Sequence, residues 1–140
     1  MVSVSALVGL LLHTFVDGVA VASGLLVGQG VGALVFAAVA LHKIPEGLAI
    51  SSLFLAAGAG RARAVLAAAA LGVATLAGVL FTDHIAVLQT YGLAMSGGVT
   101  IYVGASNLVP EFQARGGWRT PLLFFTGCAV YGLARAAAGY

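Results

Sequence analysis

Charge is what this chain has least of. Only 7% of its 140 residues are charged, against roughly 25% in a soluble domain. Six Lys and Arg and four Asp and Glu cannot cover a water-facing surface, so lipid is the expected solvent. The net charge of +2 is small and its basic residues are scattered, which argues against a nucleic-acid surface. Cysteine occurs once, as Cys128, so an internal disulfide and a Cys-based zinc site are both excluded. Cys128 sits in an apolar run and reads as a small packing residue. No basic segment precedes the first apolar run, and that run is too long for the core of a signal peptide. It is expected to stay in place as a first membrane helix.

What is there is apolar, at 61% of the chain. Crossing a bilayer takes about 20 mostly apolar residues. Five stretches qualify, at about 3–27, 31–57, 62–81, 87–111 and 120–138. The breaks have turn or interface chemistry: GQG at 28–30, GAGRAR at 58–63, TDH at 82–84, and QARGGWR at 113–119 with Trp118 suited to a membrane interface. No low-complexity linker divides the chain. The expected fold is an all-α integral membrane protein, a bundle of about five transmembrane helices forming a single domain over residues 1–140. Arg61, Arg63, Arg115 and Arg119 fall in the second and fourth loops, whereas the other side holds Asp83, His84 and Arg135. By the positive-inside rule, the N-terminus is expected in the cytoplasm and the C-terminus outside, in a multi-pass arrangement fitting a cell membrane.

Against this background the chain writes one polar phrase twice. HTFVDGVAVAS runs from His13 to Ser23, and HKIPEGLAISS from His42 to Ser52. Each begins with His, places a carboxylate four residues later and follows it with Gly. Helical residues four apart share a face, so His13 pairs with Asp17 and His42 with Glu46. His13 lies about ten residues into its span and His42 about eleven into the next. Joined by a short turn, the two spans are antiparallel, and both motifs are expected near the bilayer midplane. Ionisable residues at that depth are costly and mark ion or proton pathways. Two imidazoles and two carboxylates make a four-ligand N/O set suited to Zn²⁺ or a similar divalent ion. Pro45 frees a carbonyl and allows a kink. Gly18 and Gly47 remove bulk beside the carboxylates. The bland reading is that each His is a hydrogen-bonded packing residue, but two pairs at matched depth fit that poorly. A bare ammonium at such depth also calls for a carboxylate, so Lys43 is expected to meet Glu46 or Asp17.

At these residues the sequence resembles the ZIP family of divalent metal transporters, over essentially the whole chain, as the last five of that family's eight helices. HTFVDG resembles the fourth-helix motif, HKIPEG the fifth-helix motif, and IYVGASNLVPE at 101–111 the seventh helix. The resemblance implies that His13, Asp17, His42 and Glu46 are transport-site metal ligands. It implies Zn²⁺ as the transported ion, with Fe²⁺, Mn²⁺ or Cd²⁺ as other cargo, moving toward the cytoplasm. It also implies a partner: three N-terminal helices that this chain does not contain, or further copies of itself as a homo-oligomer. Three departures count against the second metal that many members hold. Thr14 replaces the usual Asn, Lys43 stands where many members have an acid, and the third span has no Glu.

Three functions stay open on the residues alone: a transporter, an intramembrane zinc hydrolase using metal-bound water, and a metal-binding membrane fragment that transports nothing without a partner. No HExxH motif supports the hydrolase. Asp83 and His84 read as a solvated outer loop, Ser51 and Ser52 as bonding back to their own helix, and Asn107 and Glu111 as an exit for the ion or a plain helix end.

Overall fold

A chain in lipid must satisfy its backbone hydrogen bonds internally, and helices do this segment by segment. The computed structural model describes residues 2–108, 110, 114 and 117–137 and holds no strand among them. Among these residues five α-helices with stated bounds follow in order: α1 (Val2–Val27), α2 (Gln29–Ala56), α3 (Arg61–His84), α4 (Ala86–Val103) and α5 (Arg119–Ala137). Among the described residues, three helical stretches are long and apolar enough to cross a membrane: Ala6–Val27, Gln29–Ala56 and Arg61–His84. The other two expected spans form helices that fall short of that standard. Gln89, Thr90 and Ser96 dilute α4, which widens into a π-helical segment at Gly104–Leu108. Arg119 and Arg135 lower the apolar content of α5.

The breaks are tighter than the sequence suggested. Gly28 alone separates α1 from α2, accepting from the Gly32 N–H while its own N–H reaches the Gly24 carbonyl. The second break ends at Gly60, so Arg61 and Arg63 belong to the first turn of α3. The TDH stretch is not a loop but the last turn of α3, and the chain turns at Ile85 instead. Thr82 makes this possible by bonding back to the Gly78 carbonyl at 2.8 Å while fully buried. α2 runs unbroken through Pro45.

Residues Met1–Gly97 make one compact unit and Gly98–Tyr140 a second. In the second, the described residues include the end of α4, the π-helical segment and α5, whose large apolar side chains are exposed.

In the first unit α1 is the central helix. It packs on α3 and α2, and those two also meet each other. Ser23 donates to the Leu88 carbonyl at 3.0 Å and Ser96 to the Val16 carbonyl at 3.2 Å, tying the first part of α4 to α1. In lipid no hydrophobic effect drives helices together, so close backbone contact and interhelical hydrogen bonds hold them. α1 and α3 show this twice. A Cβ on Gly18 would collide with the Thr75 carbonyl oxygen, and one on Gly78 with the Phe15 carbonyl oxygen. Ile50, Ala67 and Leu71 fill the junction of α2 and α3, with Leu7, Leu10 and Leu11 of α1 against them. Ser51 donates across to the Ala64 carbonyl of α3 rather than to its own helix, while Ser52 bonds back to Ala49 as expected.

The crossing predicts unequal costs for glycine substitutions. Gly78→Val should destabilise the bundle by about 1–3 kcal/mol, the usual cost of forcing a group into a packed contact. Gly9→Ala, where nothing lies within 4 Å, should stay within about 0.5 kcal/mol. Thermal unfolding in detergent measures both, and equal values would contradict the α1–α3 contact.

Candidate metal centre

The short Gly28 turn sets α1 and α2 side by side, and the matched depths of the two motifs do the rest. The His13 and His42 rings stand 6.0 Å apart between centroids, tilted by 33°. Asp17 lies between them. Its Oδ1 is 3.8 Å from His13 Nε2, and its Oδ2 accepts from His42 Nε2 at 3.1 Å. One ligand atom from each of His13, Asp17 and His42 can be chosen so that all three lie within 4.8 Å of one another. Atoms sharing one tetrahedral zinc stand about 3.3 Å apart, given zinc–ligand distances near 2 Å. Small side-chain movements therefore separate this arrangement from a bound one.

Glu46 stands outside that group of three and joins the cluster through Lys43. The Lys43 ammonium donates to Asp17 Oδ2 and to Glu46 Oε2, each at 2.8 Å. The sequence left open which carboxylate Lys43 would meet, and it meets both. Among the described residues, two polar side-chain atoms are buried without a hydrogen-bond partner, His13 Nδ1 and Glu46 Oε1. Unpaired polar atoms at membrane depth cost free energy.

Access to the cluster is uneven. The Asp17 side chain is 9% exposed and that of His42 43%. A cavity of about 390 Å³ lies against Lys43 and Glu46, walled by Gly47 of α2 and by Leu71, Gly72 and Thr75 of α3. Gly47 keeps this space open, as its sequence position suggested, whereas Gly18 serves the α3 contact instead. The α3 wall escaped the sequence reading, because a run of Ala and Gly looks the same whether it packs or lines a cavity. Thr14 is fully buried and bonds back to the Leu11 carbonyl at 3.1 Å. Asp83 and His84 sit in the last turn of α3, where the Asp83 carbonyl accepts from Gln89 at 2.8 Å. Glu111 lies outside the described residues. The Asn107 backbone falls in the π-helical segment, and its side chain is likewise outside them.

The sequence model of the ZIP zinc transporter family matches residues 1–134, nearly the whole chain. The chain belongs to that family. Among curated proteins and solved structures, none matches it. Membership makes this a membrane protein of a divalent-metal transport family. The family is one of transporters, which favours that reading over the zinc hydrolase left open by the sequence. Within the ZIP chain, the clustered His13, Asp17 and His42 come from the two motifs that carry the resemblance.

The shared position of Asp17 predicts coupling. Asp17→Ala should cost about 1.5–3 kcal/mol, the range for hydrogen bonds to charged groups. Combined with Lys43→Met, the loss should be smaller than the sum of the single changes by at least about 0.5 kcal/mol. Detergent unfolding of the three variants measures this, and strict additivity would contradict the Asp17–Lys43 pair.

Proposed function

We propose that this ZIP chain carries divalent cations, zinc foremost, across the membrane through a site formed by His13, Asp17, His42 and Glu46. The observation that carries the reading is the convergence of His13, Asp17 and His42 ligand atoms within 4.8 Å. Two imidazoles with carboxylates form a mixed N/O set, which suits a borderline ion such as Zn²⁺, and Fe²⁺, Mn²⁺ and Cd²⁺ accept the same donors. Magnesium and calcium prefer all-oxygen shells. Glu46 enters as the fourth ligand through Oε1, the atom with no hydrogen-bond partner, while Oε2 stays with Lys43.

The imidazoles supply neutral donors and Asp17 supplies charge, so an ion is held without a full cage of carboxylates. Binding in a pathway must be strong enough to strip water and weak enough to release. A site of few ligands, with His42 nearly half exposed, meets both conditions. The N-terminus lies on the cytoplasmic face in this reading, following the arginine bias. The exposed apolar faces of α1, α2 and α3, including Leu12, Leu41 and Val73, meet lipid and a complement. That complement is either three N-terminal helices or further copies of the chain.

Uptake of radioactive zinc by cells expressing the protein with its complement tests the reading. His42→Ala and Glu46→Ala should each lower uptake by more than roughly tenfold, since even partners outside the ligand set affect metal sites on that scale. Wild-type uptake in both variants at matched expression would remove this site from the pathway.

A further inference from the structure

The Lys43 ammonium sits where a cation would sit. It is 2.8 Å from Asp17 Oδ2 on α1 and 2.8 Å from Glu46 Oε2 on its own helix. Two carboxylate oxygens from different helices, each within contact of one point, form a bridging cation position, and a side chain of this protein fills it. Lys43 lines a cavity together with Glu46, Gly47, Gly72 and Thr75. The position is therefore bordered by open volume, and a smaller side chain at 43 would leave room for an ion.

Resting on the transport site proposed above, we propose that Lys43 is a specificity-determining residue. Its ammonium acts as a tethered cation between Asp17 and Glu46 and limits the site to one mobile divalent ion. The charges explain why. Asp17 and Glu46 contribute two negative charges and Lys43 returns one positive. One divalent ion at His13, Asp17 and His42 then leaves the cluster with a single excess positive charge. A second divalent ion would have to displace the ammonium or stand beside it, and like charges a few ångströms apart repel strongly away from water. The same repulsion weakens the hold on the first ion. With a neutral residue at 43, the two carboxylates exactly balance one ion, and the vacated bridging position faces two acceptor oxygens.

Metal titration of purified protein, by equilibrium dialysis against Zn²⁺ with elemental analysis, tests this directly. The unmutated protein should bind one Zn²⁺ per chain. Lys43→Met should bind the first ion roughly tenfold or more tightly, and Lys43→Asp should bind two. Lys43→Arg, which keeps the charge, should stay at one. Two tightly bound ions in the unmutated protein would overturn the proposal whether or not any variant folds. Unchanged affinity in Lys43→Met together with one ion in Lys43→Asp, with helical content intact, would also overturn it. The two readings fail differently. If the unmutated protein binds one ion and His42→Ala does not lose it, the transport site itself is misplaced and this proposal falls with it. If His42→Ala loses the ion but the Lys43 variants behave as wild type, only the tethered cation is wrong.

Discussion

The carboxylate of Asp17 is the point on which this structure turns. It is the most buried charged side chain of the cluster, and it holds three groups at once: the His13 ring along its own helix, the His42 ring and the Lys43 ammonium across from it. Its Oδ2 accepts from His42 and from Lys43, while the His13 ring stands 3.8 Å from Oδ1. In lipid it has no alternative partner, so satisfying it fixes the register of α1 against α2. The two histidines stand on either side of the same anion, His13 by helical spacing and His42 by its hydrogen bond.

That register depends on a second constraint of a different kind. Gly18 follows Asp17 directly, and its missing Cβ lets the Thr75 backbone of α3 come into contact with α1. Gly78 does the same one turn along α3, against Phe15. Charge holds one side of α1 and backbone contact the neighbouring side. Displacing α1 to relieve either would disturb the other. The serines reinforce this with hydrogen bonds between helices, Ser23 to α4, Ser96 to α1 and Ser51 to α3. None of these contacts depends on expelling water, as suits a molecule whose surroundings are as apolar as its interior.

Family membership and local geometry contribute different things. Membership gives the class of cargo and its passage through a membrane. The geometry adds a feature of this chain's own, an ammonium lodged between two carboxylates. A lysine in such a place offsets one of the two carboxylate charges, which family membership by itself leaves undescribed.

The sequence alone determined the lipid setting, because scarcity of charge leaves no other solvent. It also determined the helical class and the pairing of His13 with Asp17, because helical spacing is a local property. The convergence of His13 with His42 was legible for a related reason: a short turn and equal depth leave antiparallel helices little freedom. The tertiary structure decided the rest. Gly18 could be read beside the site or toward a neighbour, and only the position of α3 selects between them. Ser51 could bond within its helix or across, and the nearby Ala64 carbonyl selects across. Thr82, Asp83 and His84 carry loop chemistry, yet a back-bonded Thr82 in a buried position keeps them helical. Lys43 had two carboxylates within reach, and the facing of α1 and α2 gave it both. In each case local chemistry permits two partners, and the choice depends on which helix stands opposite.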